Sequence, residues 1–97
     1  MSYDIRVFKL INGDEIVGNV KEKMEGINTV YSVSKPRQMV IVQNTAKGPV
    51  SGLIPWVLSA PDATIELTKD KIFAQALVTR EVEDYYFEVT SSIALVA

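Results

Sequence analysis

Few side chains in this chain could do covalent or acid–base chemistry. It has no histidine and no cysteine. That removes Ser-His-Asp and Cys-His nucleophile systems, disulfides and thiolate metal sites. Acid–base work would fall to Asp, Glu, Lys, Tyr or Ser. Asp14 and Glu15 are adjacent carboxylates, but neighbours on a strand point to opposite faces, so they read as solvated hairpin charges. No carboxylate constellation is recognisable, and neither an enzyme nor a bound cofactor or metal is expected. What remains is recognition chemistry. Asn28, beside Gly26, is either an ordinary turn residue or a ligand contact. Thr68, Lys69 and Lys71 lie in the turn TKDK, where charge is normal and phosphate contact is the alternative. Tyr31 either packs in a core or stacks on a base. Trp56, in GLIPWVL, is a core anchor or an interface anchor, with interface favoured because it lies in an irregular stretch.

These residues need elements to position them. At 97 residues the chain reads as one domain, residues 1–97, with a modest core. DIRVFKLI (4–11) alternates as a strand, with Ile5, Val7 and Lys9 on one face and Arg6, Phe8 and Leu10 on the other. Asn12-Gly13 signals a two-residue hairpin turn. DEIVGNVKEK returns as a strand with Ile16, Gly18 and Val20 on one face, and Met24-Glu25-Gly26 looks like the next turn. INTVYSV is β-branched and aromatic, and Pro36 ends or bends that strand before RQMVIVQ resumes. Residues 43–61 hold two Gly and three Pro and read as irregular. TIEL (64–67) and IFAQALV (72–78) are strands around a turn. Thr79 looks like an N-cap, with Glu81, Glu83 and Asp84 at the positive end of a helix over about 80–92. Val82, Tyr85, Tyr86, Val89 and Ile93 recur at helical spacing, and the tyrosines are expected to dock the helix.

Gly18 has no turn to serve. Glycine inside a strand marks a bulge, a bend or a close backbone approach. A sheet of about five strands encloses a core only by curling, which needs such a point. The expectation is a mainly β fold: a small, strongly bent antiparallel barrel with strands within 4–78 and a C-terminal helix. The spacing Leu10-x-x-Gly13-x-x-Ile16-x-Gly18-x-Val20, with Ile27-Asn28 downstream, resembles the first motif of the Sm-like (LSm) family. The resemblance implies a five-stranded SH3-like barrel, a ring of subunits, and an RNA base recognised in the pore by the asparagine matching Asn28. Met24 stands where the family has an aspartate. The second family motif would fall on Leu67–Ile72, where Thr68 and Lys69 replace its Arg-Gly. The arrangement of loop, acidic turn and terminal helix also resembles small proteins of tailed phages.

IFAQALV presents no charge over seven residues, and as an exposed edge it would pair without control. Strand pairing between copies is therefore expected, through Ile65 and Leu67 of one strand and Phe73, Ala74 and Ala76 of the other, with Trp56 as a further interface residue. A head-to-tail contact closes into a ring when its rotation fits; about five to seven subunits are expected. Association also accounts for a hydrophobic content of 47%. The net charge of −2 argues against broad polyanion binding. It leaves room for weak binding of single-stranded RNA by Asn28, Tyr31, Thr68, Lys69 and Lys71, or for a structural or adaptor oligomer without nucleic acid. No signal peptide or membrane span is visible, so a cytoplasmic location is expected, in a bacterial host if the source is a phage.

Overall fold

The computed structural model describes residues 3–43, 46 and 48–91. The elements run β1 (Ile5–Leu10), β2 (Glu15–Glu25), β3 (Asn28–Val42), β4 (Val50–Pro55), β5 (Thr64–Thr68), a 3-10 turn (Lys69–Lys71), β6 (Ile72–Leu77) and α1 (Arg80–Thr90). All strand pairings are antiparallel, in the order β4-β3-β2-β1-β6, with β5 also on β3. Six strands form where five were expected. The extra one is β4, cut from the stretch expected to be irregular. Yet β4 and β5 share one edge of β3: β5 pairs with residues Val30–Ser34 and β4 with Arg37–Val42. The sheet therefore has five positions, one of them filled by two short strands.

Two turns set the register. Ile11, Asn12 and Gly13 connect β1 to β2, with Leu10 N–H donating to the Asp14 carbonyl (2.8 Å) and Gly13 N–H to the Leu10 carbonyl (2.9 Å). Only Gly13 takes positive φ there, at 96°. This is a three-residue loop closed by a left-handed glycine, not the expected two-residue turn. Between β2 and β3 the loop is Gly26-Ile27, with Gly26 at φ 65°. The strand runs on through Met24 and Glu25, beyond the expected turn.

β3 does not stop at Pro36. From Val17 to Asn19, β2 advances two residues, while β3 moves three, from Arg37 to Ser34. The surplus residue is a bulge at Lys35-Pro36, where Lys35 takes φ 49°. Proline's missing N–H costs no ladder bond there. Lys35 N–H instead donates to Ala63 (3.2 Å), and the Pro36 carbonyl accepts from Trp56 N–H (3.1 Å). Gly18 lies across from this bulge. A β-carbon on it would fall 2.3 Å from Val33 Cγ1, well inside van der Waals contact. The missing side chain lets β2 close down on β3 beside the bulge, so of the reasons for a strand glycine the close approach is the one seen.

Alternation along the strands gives the sheet two apolar faces. Phe8, Leu10, Ile16, Val20, Tyr31, Val33 and Leu67 fill the concave interior, with Trp56, Ile65 and Ile72 against them. Ile5, Val17 and Leu53 line the outer face under α1, with Tyr86 from the helix. Burying each such side chain contributes about 1.5–3 kcal/mol. The curl brings β6 across to β3: Gln75 Nε2 donates to the Tyr31 hydroxyl (3.2 Å), although β1 and β2 lie between their strands. The tube is not closed, however. Among the described residues, β6 pairs only with β1, and neither β4 nor β5 pairs beyond β3.

Thr79 caps α1 as expected, its side chain accepting from Val82 N–H (3.3 Å). Tyr86 is buried, and its hydroxyl donates to the Ser34 carbonyl (2.8 Å) and lies 3.2 Å from that of Lys35. The helix is thereby tied to the bulge. Tyr85, expected to dock alongside it, faces solvent instead. Ile93 and residue 92 of the expected helix lie outside the described residues. Among the described residues no helix is long and apolar enough to cross a membrane.

Candidate functional site

The pairing of β3 with β5 sets Val30 opposite Thr68. Asn28, two residues before Val30, and Lys69, one after Thr68, are thereby carried to the same end of the sheet. They line a cleft of about 620 Å³ with Glu25, Ile27, Thr29, Val30, Thr68 and Asp70. It lies between the β2–β3 hairpin tip and the 3-10 turn. Asn28, Thr68 and Lys69, picked out at separate places in the sequence, thus share one cavity.

Other expected ligand contacts lie elsewhere. Tyr31 is only 5% exposed and packs against Phe8 with ring centroids 5.6 Å apart, so its ring serves the core and not a stacked base. Strand register sends it inward, which spacing to Asn28 does not reveal. Lys71 is outside the cleft lining, its Nζ 3.8 Å from Asp70.

The expected interface residues also divide. Leu67 is buried in the interior cluster, with Ile65 partly buried against it. Trp56 packs against the same cluster, its Nε1 donating to Asp14 Oδ2 (3.1 Å). Leu67 belongs to the core, while Ile65 and Trp56 are half-buried against it. Phe73, Ala74 and Ala76 are exposed on β6, Phe73 to 79%. Asp14 is likewise no solvated hairpin charge: Gln38 Nε2 (3.3 Å), Asn12 Nδ2 (3.2 Å) and Trp56 all donate to its carboxylate.

Two carboxylates in the cleft, Glu25 and Asp70, had not been marked as site residues. Glu25 ends β2 and Asp70 lies in the 3-10 turn, both exposed places where charge is ordinary, and only the β3–β5 pairing sets them around one cavity. Thr68 Oγ1 donates to Asp70 Oδ1, which holds the Asp70 carboxyl below its usual range, with Lys71 acting in the same direction. Asp70 is therefore an acceptor near neutral pH and not a proton donor. Close by, Lys23 and Glu66 pair at 2.7 Å. Among the described residues, no group of three or more His, Cys, Asp or Glu is placed to hold a metal ion. The cleft offers amide, ammonium, hydroxyl and carboxylate groups beside the apolar Ile27. That set suits hydrogen-bonded recognition of a planar polar group.

No protein-family model matches the chain, and no curated protein matches it in sequence.

Proposed function

We propose that this protein is a homo-oligomeric, ring-forming Sm-like protein that binds single-stranded RNA weakly, one nucleotide base at each Asn28 cleft. The observation that carries the reading is the shared cavity of Asn28, Thr68 and Lys69. The resemblance ties Asn28 to RNA, and Thr68 and Lys69 stand at the positions of the second family motif, forty residues on, in place of its Arg-Gly. The open sheet supports assembly. β6 offers an unpaired edge with no charge, and β5 offers a second unpaired edge among the described residues. Joining them between copies satisfies both rows of backbone groups. A ring then presents several weak sites together, which raises affinity for a strand long enough to span them.

Light scattering on the eluting protein tests assembly, with about five to seven chains expected. Fluorescence polarisation with labelled oligo-U and oligo-A at low salt tests binding. The reading requires binding that Asn28→Ala abolishes while the fold, checked by circular dichroism, is unchanged. Binding to neither oligonucleotide, or binding indifferent to Asn28→Ala, ends the RNA claim.

One feature favours a second reading, a structural or adaptor oligomer with no nucleic acid. Glu25 and Asp70 offset the charge of Lys69, leaving the cleft without the excess of cations that holds phosphates. An intact oligomer that binds no RNA decides for it.

A further inference from the structure

We infer that the Asn28 cleft selects adenine or cytosine, each of which sets an exocyclic amino donor beside an acceptor ring nitrogen, over uracil, and that its affinity depends little on salt. This rests on the RNA-binding reading above and names the kind of base that site takes. The cleft lining carries the carboxylates of Glu25 and Asp70 against the single ammonium of Lys69. Both carboxylate residues are exposed, so they are hydrated and free to accept further hydrogen bonds. Ionised carboxylates only accept. They therefore pair with the N4 amino group of cytosine or the N6 amino group of adenine, each of which donates. The neighbouring ring nitrogen of either base is an acceptor, and the Asn28 amide can donate to it. Uracil has N3–H as its one donor on that edge, flanked by the O4 and O2 carbonyls, whose lone pairs are set against the carboxylates, and it has no acceptor ring nitrogen for the Asn28 amide. Ile27, 94% exposed at the hairpin tip, offers an apolar surface for the base plane.

The same charges set the response to salt. Each phosphate neutralised on a single strand contributes about −0.7 to the slope of log K against log salt. With Lys69 as the only cation in the lining among the described residues, the slope should stay near that value per cleft.

The test is fluorescence polarisation of the full chain with labelled oligo-A, oligo-C and oligo-U, each at about 50 and 200 mM salt. Oligo-A and oligo-C should bind about fivefold or more tighter than oligo-U, within the range of a good base contact. The fourfold rise in salt should cost about threefold in affinity per cleft engaged. Glu25→Gln combined with Asp70→Asn should bring the three oligonucleotides within about twofold of one another. Both residues are exposed, so the thermal midpoint of this variant should match the parent. Oligo-U binding as tightly as oligo-A, with Asn28→Ala still abolishing it, overturns the selectivity and leaves RNA binding standing. A preference for oligo-A and oligo-C that survives the double substitution overturns the role of the carboxylates. Failure of every oligonucleotide to bind at low salt overturns both readings.

Discussion

Gly18 shows how one absent side chain shapes the sheet. The position its β-carbon would take is filled by Val33, which is fully buried and β-branched, and so cannot rotate aside at low cost. Gly18→Ala should destabilise the fold by about 1–3 kcal/mol, the usual range for an overpacked core. Urea midpoints measure it. Val33→Ala alone opens a cavity, but in the double variant the new methyl group partly fills it. The two losses should then sum to less than their parts, by about 0.5–3 kcal/mol. A strictly additive result would place the role of Gly18 somewhere other than this contact. Tyr86 makes a second prediction. Burial pushes its phenol pKa up from the ordinary value near 10. The neutral form is the one the fold favours, so its contribution is full below the unfolded pKa and is lost as pH rises through the folded one. Stability should therefore fall above about pH 10, and less steeply in Tyr86→Phe. That variant should itself lose about 1 kcal/mol with the hydrogen bond to the Ser34 carbonyl. Gly18 was legible in the sequence because a strand glycine without a turn demands a reason. Tyr86 was legible by its helical spacing, but Tyr85 beside it was not. Which of two adjacent tyrosines faces inward depends on how the helix is rotated on the sheet, and the bonds at the bulge fix that.

Among the elements, β3 carries the architecture. It is one strand of fifteen residues that pairs with β2 on one edge and with β5 and β4 on the other. Its bulge was half legible: Pro36 announces an interruption, but the pairing alone tells whether the strand stops or swerves. β4 was hidden by the glycines and prolines around it. An edge strand tolerates both, since half of its backbone groups need no partner. The site divides in the same way. Asn28 and the 68–71 turn could be found by spacing, whereas Glu25 and Asp70 reach the cleft through a cross-strand register that one sequence does not display. The free edges differ in chemistry too. Beyond Val20, the outer edge of β2 carries Lys21, Glu22, Lys23 and Glu25, a charged run that resists pairing. β6 has no such protection. Phe73→Lys puts a charge on that bare edge at an exposed position, so folding stability should change by no more than about 0.5 kcal/mol. If copies join through β6 as proposed, light scattering should show this variant as a monomer. An oligomer unaffected by this substitution would overturn the proposed contact through β6.

At the scale of the whole molecule, two layers of apolar side chains lie on either side of one curled sheet, and α1 covers only the outer one. Hydrophobic content and strand alternation made this mainly β arrangement with a terminal helix readable in advance. The sequence pattern suggested a closed tube, but alternation reports which face a side chain takes and not whether the last edge meets the first. The order in which the chain is made gives the curl one more consequence. β1 is synthesised first, yet its second partner is β6, with Arg6 set opposite Leu77. During translation the hairpins of β1, β2 and β3 can zip as soon as each turn leaves the ribosome. The β1 flank, by contrast, waits until β6 has emerged. A nascent polypeptide therefore holds Phe8 and Leu10 without β6 beside them until all the other strands have been made, which makes this seam the slow, non-local step of folding and the natural stretch for a chaperone to shield.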